Sequence, residues 1–411
     1  MTPFWNRNLV LWTIGTAQSQ CGTALAGIAL SFLVLHQTGS ARQMALTLAC
    51  TLLPQLLMPL AGAWVDRVPL RLPLIGADVA RALLQLGLGV LALRGDVPLS
   101  VVNTVAVLTG LAGIFAGPAS NAAVPSLVPP SQLARANGLL GSVSQGASLL
   151  GTLAGGWLVA RFSPPMAILL NGGSFLVMAT LLCWIRLPRR TVAPGPRQHL
   201  FADVRAGLGV MRRSRLLLLA PAIALLLNAT LAPVTVVIPK LLAGQGSGAG
   251  GYGLFLSLES VGMLLSGLLI MASRNRWPSH WMIAIGLGLT AGVYSLIWRW
   301  PIPAVLLGSA PVLGLGFGLI NIPFQTLLQR LVPEAYLGRV FSVLGMVSSL
   351  GMPISLLVIS PMLDVLPMPV WFGAAALLQG LGGVVWSLAI LRGQRTPEAS
   401  AELSSRPTPQ L

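Results

Sequence analysis

The sequence predicts an all-α integral membrane protein of twelve transmembrane helices in two six-helix bundles. Three observations lead there. Hydrophobic residues make up 55% of the 411-residue chain and charged residues only 8%, with a mean hydropathy of +0.82. A water-soluble domain is usually about 25% charged, so this chain has too few charges to cover a wetted surface. The apolar residues fall into twelve runs long enough to cross a bilayer, and the basic residues alternate between the gaps that separate them.

In chain order the runs cover about 9–35, 43–64, 72–93, 99–120, 138–160 and 165–187, then 216–239, 249–272, 279–298, 302–324, 338–360 and 368–391. About 20 helical residues are needed to cross roughly 30 Å of hydrocarbon. Helices are required because lipid cannot satisfy open backbone groups, and the short alternating segments of a membrane barrel are not seen. Arg7 precedes the first run as in a signal peptide. The run nevertheless continues to about Leu35 with no small-x-small cleavage site before a soluble domain, so it reads as a retained span. The domain division is then 1–187 for the N-terminal bundle, 188–215 for a cytoplasmic linker, 216–391 for the C-terminal bundle and 392–411 for a disordered, polar, Pro-rich tail. The linker is basic and rich in Pro and Gly, with a short amphipathic piece at FADVRAGLGVM.

Orientation follows from charge. An even span count puts both termini on one side, and the gaps and termini of that side hold 19 of the 25 Lys and Arg residues. The opposite gaps hold five (Arg42, Arg94, Arg161, Lys240 and Arg299), and Arg81 lies inside the third span. The bias places both termini in the cytoplasm of a cell inner membrane, with the basic rim facing anionic lipid. The net charge of +16 is therefore no sign of nucleic-acid binding, because the basic residues form no continuous face. Trp5, Trp64, Trp157, Trp184, Trp277, Trp281, Trp298, Trp300, Trp371 and Trp386 fall near span ends, as in an interfacial belt. Cys21, Cys50 and Cys183 sit in apolar runs and read as buried free thiols; with three scattered histidines they offer no metal site, and no cofactor is called for. There is no GxxxxGK[ST] loop for an ATP-driven pump and no cluster fit for an enzyme.

The two halves resemble each other. GPASNAAVPSLVPPSQLARANGLLGSV follows the fourth span and IPFQTLLQRLVPEAYLGRVFSVLG the tenth. Pro118 aligns with Pro323, Val128-Pro129 with Val332-Pro333 and Arg135 with Arg339, as expected of a transporter built by duplication. These two stretches, with GAWVDRVPLR at 62–71, resemble the major facilitator superfamily. They are most similar to the exporter-like branch that holds enterobactin exporters and macrolide efflux proteins. The turn is similar to the superfamily's GxxxDRxGRR signature, with Gly62, Asp66, Arg67 and Arg71 matching, Pro69 in place of glycine and Leu70 in place of a basic residue. The resemblance implies two six-helix bundles around a cavity that opens alternately to each side. It also implies a cytoplasmic gate latch at Asp66, Arg67 and Arg71, with Arg339 grouped in the same gate; a plain topology anchor is the other reading.

Inside the spans, Asp78 and Arg81 are three residues apart on one helix face. They read as a neutralising pair near the gate or, alternatively, as part of the transport path. Glu259 stands in the middle of span eight with no basic residue within a turn or two. It is the candidate for proton coupling or for anchoring a cationic substrate, the other reading being a protonated acid bonded within the bundle. Gln18, Gln20, Gln145, Asn171, Asn228, Asn321 and Gln379 are candidate cavity-lining groups. In span five Gly141, Gly146, Gly151, Gly155 and Gly156 resemble the glycine-rich motif of family antiporters, although Gly151-Thr152 replaces the usual Gly-Pro step and span four lacks the embedded arginine of many proton-coupled relatives. The function expected is proton-coupled efflux of a small amphipathic organic substrate by alternating access. Its partners are protons and membrane lipids, with no obligate protein partner. The alternatives are a dedicated siderophore or lysophospholipid transporter and a non-transporting membrane sensor or scaffold.

Overall fold

The computed structural model describes residues 4–187, 215–273, 276–332 and 334–393. Its first six long helices are α1 (Arg7–Thr38), α2 (Ala41–Val65), α3 (Arg71–Arg94), α4 (Leu99–Ala123), α5 (Leu133–Arg161) and α6 (Pro164–Trp184). The next six are α7 (Arg215–Gly244), α8 (Gly248–Ala272), α9 (Ser279–Arg299), α10 (Pro303–Leu331), α11 (Glu334–Ile359) and α12 (Met368–Gly393). A 3₁₀ turn at Leu53–Leu57 interrupts α2, where Pro54 cannot donate to the helical ladder. The helices match the twelve expected runs, but several overrun them, α10 furthest. A helix has no reason to stop at the edge of the hydrocarbon once it reaches water.

Among the described residues ten of these helices are long and apolar enough to cross a bilayer by composition, and a shorter apolar stretch runs from Leu350 in α11 to Met362. In each half the neighbours are the same: α1 lies against α5 and α6, α3 against α4 and α6, and α2 against α4; six helices later α7 lies against α11 and α12, α9 against α10 and α12, and α8 against α10. The bundles meet where α5 packs on α8 and α2 on α11. So α5 and α11 occupy equivalent positions, each packed on the first helix of its own bundle and on a helix of the other.

The chain is thus a multi-pass integral membrane protein of two related bundles. Its two ends are called here the near face, where α1 starts, and the far face. In the far half, small residues bring the bundles together. A Cβ on Gly156 of α5 would stand 2.8 Å from the Ala249 carbonyl of α8, and one on Gly253 would stand 2.7 Å from the Thr152 carbonyl of α5. Thr152 and Ser257 hydroxyls meet across the same seam at 3.2 Å. Gly151 and Gly155 likewise press α5 onto α1, whereas Gly141 and Gly146 face open space and carry no close approach.

The tryptophan belt is also partial. Trp5, Trp64, Trp157, Trp184, Trp277, Trp281, Trp298 and Trp300 are exposed, but Trp371 and Trp386 are buried core residues. Trp386 donates its indole N–H to the His280 carbonyl (2.9 Å), which ties α12 to the start of α9. Cys21 and Cys50 are half-buried free thiols, while Cys183 is exposed rather than buried. The linker residues 188–214, including the FADVRAGLGVM piece, and the tail from 394 lie outside the described residues.

Candidate functional site

The C-terminal bundle contains a cavity of about 410 Å³ lined by α7, α8, α10 and α11. Its wall is mainly apolar, with Leu227, Leu231, Met263, Phe317, Ile320 and Phe324, and it carries a few polar groups: Asn228, Glu259, Asn321, Gln325 and Ser348. Three of the candidates read from the sequence therefore converge, since Asn228, Glu259 and Asn321 come from three different helices. The packing that fixes Glu259 is visible in the backbone. Gly314 of α10 lies so close to the Glu259 carbonyl that a Cβ there would collide with it, and Gly262 meets the Pro311 carbonyl in the same way. The α8–α10 seam thus holds the backbone of Glu259 in place. Asn228 and Asn321 are each steadied by a side-chain N–H donated to the carbonyl four residues earlier, Ala224 (2.8 Å) and Phe317 (2.9 Å). Among the described residues Glu259 forms no hydrogen bond or ion pair. An apolar wall with few convergent polar groups is the form of a site for an amphipathic organic molecule.

The other candidates lie elsewhere. Gln379 is fully buried within the C-terminal bundle, donating to the Thr230 hydroxyl (2.8 Å) and accepting from Thr290 (3.2 Å); it ties α12 to α7 and α9. Gln18 donates to the Ser174 carbonyl (2.9 Å) and joins α1 to α6. Asn171 is buried and accepts from Ser174 (3.3 Å). Gln20 and Gln145 are exposed. Buried amides satisfied between helices are the ordinary means of joining membrane helices, and the sequence pattern does not separate these from cavity groups.

At the near face, Asp66 and Arg67 occupy the exposed turn between α2 and α3. Arg71 opens α3 and donates to the Ile185 carbonyl at the end of α6 (2.8 Å), bracing the turn within its own bundle. The side chain of Arg339 lies outside the described residues. Asp78 and Arg81 form an ion pair on α3, with Asp78 buried and the Arg81 guanidinium 4.2 Å above the Phe175 ring of α6. The pair stays within the N-terminal bundle and neutralises itself.

The far face holds a cluster that the sequence reading missed. Asp364, on the turn between α11 and α12, reaches the first turn of α2 in the other bundle. It accepts from the Ser40 hydroxyl, from the backbone N–H groups of Ala41 (2.9 Å) and Arg42 (3.2 Å), and from the Lys240 ammonium at the end of α7 (2.6 Å). Burial pushes this carboxyl up, but these donors outweigh it and hold it at about 2. One signal was available: Lys240 is the only lysine in the chain and Asp364 one of just nine acids. Their pairing, 124 residues apart, was not readable from spacing. No group of three or more His, Cys, Asp or Glu side chains fit to hold a metal occurs among the described residues.

Two pseudo-equivalent bundles, joined at the far face and with a mainly apolar cavity carrying an acid, define a secondary transporter of the alternating-access class. The chain belongs to the Major Facilitator Superfamily, whose family model matches residues 12–356. It is 24% identical over 394 residues to macrolide efflux protein A of Streptococcus pyogenes, covering 90% of this chain and 94% of that one. It is 27% identical over 392 residues to the multidrug efflux pump Tap of Mycolicibacterium fortuitum, covering 92% and 94%. Among solved structures it is similar in fold to the nucleoside transporter NupG (TM-score 0.73, 12% identity, 94% of this chain and 99% of that one). It is also similar to a bacterial homologue of the iron transporter ferroportin in an inward-facing state (TM-score 0.70, 19% identity, 93% and 98%). Its function is transport rather than catalysis.

Proposed function

We propose that this protein is a proton-coupled exporter of amphipathic organic compounds, with Glu259 as the group where proton and substrate meet. The observation that carries the reading is the cavity of about 410 Å³, in which one carboxyl, three amides and a hydroxyl stand on an otherwise apolar wall. A carboxyl in such a place is costly to leave charged and unpaired, so it takes either a proton or a substrate cation. That exclusivity is the basis of exchange: a proton arriving releases the cation, and a cation arriving releases the proton. The efflux proteins among the relatives supply the direction, outward from a bacterial cytoplasm. The basic bias supplies the orientation, with the near face and both termini cytoplasmic.

In this reading the bundles (1–187 and 216–391, joined by 188–215) rock about the central site. The Asp364 cluster and the Gly156–Gly253 seam close the far side. Asp66, Arg67 and Arg71, with Arg339, close the near side in the opposite state. Each latch exists in only one of the two states, which is what lets it bias the equilibrium.

The test is flux of a lipophilic cationic dye in proteoliposomes under an imposed pH gradient, comparing wild type with Glu259→Gln. Saturable, gradient-driven flux that falls to the rate of protein-free vesicles in the variant is the expected result. Flux unaffected by the substitution removes Glu259 from coupling. A folded wild type that moves no dye turns the substrate search to siderophores and lysophospholipids, and ligand binding with no flux of any substrate favours the sensor or scaffold.

A further inference from the structure

A second cavity, of about 550 Å³, opens at the near face of the N-terminal bundle, far from Glu259. Three separate pieces of chain wall it: the start of α1, the turn between α4 and α5, and the end of α6. Arg7 comes from the first and Arg186 from the third, with Ser126 and Pro129 from the turn and Trp184 on the rim. Its frame is bonded across these pieces. The Asn6 amide donates to the Leu127 carbonyl (2.8 Å), and Asn8 exchanges two bonds with the backbone of Arg186 (3.2 and 3.4 Å). These bonds use the asparagine side chains and the backbone, so both guanidinium groups remain available. Among the described residues neither arginine forms an ion pair, and no acid lines the cavity.

The position adds to the chemistry. Trp184 is 59% exposed at the very end of a membrane helix, where an indole sits at headgroup depth. A rigid concavity at that depth, with two guanidinium groups that form no ion pair among the described residues, matches a phosphodiester: the arginines supply charge and forked donors, and the apolar rim continues toward the acyl chains. We propose that this cavity is a binding site for the headgroup of an anionic phospholipid of the near leaflet. It is distinct from the general attraction of a basic rim, because it depends on Arg7 and Arg186 together. The bound lipid bridges α1 to α6 and the α4–α5 turn, bracing the near end of the N-terminal bundle.

The full chain in mixed nanodiscs of phosphatidylglycerol and phosphatidylcholine, released and weighed by native mass spectrometry, tests this. Wild type is expected to retain one phosphatidylglycerol in preference to phosphatidylcholine. Each arginine replaced in Arg7→Gln and Arg186→Gln should cut retention roughly fivefold. Arg276→Gln, which removes an exposed near-face charge elsewhere, should leave it unchanged. The pair Arg7→Lys with Arg186→Lys separates charge from fold and should recover part of the retention. Equal retention by the double glutamine variant overturns the site. So does an equal loss in Arg276→Gln, which means diffuse attraction only. Displacement of the lipid by millimolar inorganic phosphate assigns the pocket to free phosphate instead and overturns the lipid reading.

Discussion

The two bundles share a plan of helix contacts but treat an acid within a membrane helix in opposite ways. In the N-terminal bundle, Asp78 on α3 has Arg81 one turn further on, and the arginine stacks over Phe175. In the C-terminal bundle, Glu259 on α8 stands on the wall of a cavity with no such partner among the described residues. The first arrangement is closed: the two charges cancel and the ring covers them. The second is open and completed only by something that enters. Duplication supplied the scaffold twice, and in the proposed mechanism the local placement of one charge sets which copy exchanges ions.

The largest expected effect tests the open acid. Glu259→Gln should abolish gradient-driven dye flux while leaving the thermal unfolding midpoint in detergent nearly unchanged, because no protein bond among those described is lost. Asp78→Asn should do the reverse. It leaves Arg81 without its counter-ion and should destabilise the fold by about 3 kcal/mol, the low end for breaking a buried pair since Arg81 is partly accessible. Replacing both members together, as Asp78→Leu with Arg81→Leu, should recover much of that loss. If Asp78→Asn instead stops flux in a fully stable protein, the closed pair belongs to the transport path and the contrast between bundles fails.

A next, smaller effect concerns the contact that joins the bundles. Asp364→Asn weakens the far-face cluster and should lengthen the distance between spin labels on the α1–α2 and α11–α12 turns. The pH dependence has a definite sign. The folded carboxyl is held at about 2, below its ordinary value, so its contribution is fully present above about 4. It is lost as the pH falls through about 2. Lowering the pH from 7 to 5 should therefore leave Asp364 ionised and its bond to Lys240 intact in wild type; a far-face distance that opens over that range reports a different titrating group. The smallest effect is in the core: Trp386→Phe removes the bond to the His280 carbonyl and should cost about 1 kcal/mol, with flux unaltered.

The match between sequence and structure is uneven for physical reasons. Helix limits and order were readable because a bilayer imposes length and polarity on every span locally. The duplication was readable because Pro118 and Pro323 mark equivalent places inside α4 and α10. The belt failed at Trp371 and Trp386 because distance along a helix places a side chain at a depth but not on a face. The cavity candidates divided for the same reason. Asn228 and Asn321 face the cavity, while Gln18 and Gln379, equally polar and equally central, are bonded to neighbouring helices.

By itself, then, the sequence determined what the solvent enforces: a membrane protein, its helices, their grouping by six, and the asymmetry of charge between its two sides. It also determined that Glu259 is an isolated acid along its own helix. Tertiary structure alone decided what surrounds it: among the described residues α7, α10 and α11 bring amides and apolar groups to its cavity and no basic group. It alone joined Asp364 to Ser40 and Lys240, and brought Arg7 and Arg186 to the wall of one cavity. Contacts between distant segments are set by how whole helices fit together, and that fit depends on the shape of both surfaces at once.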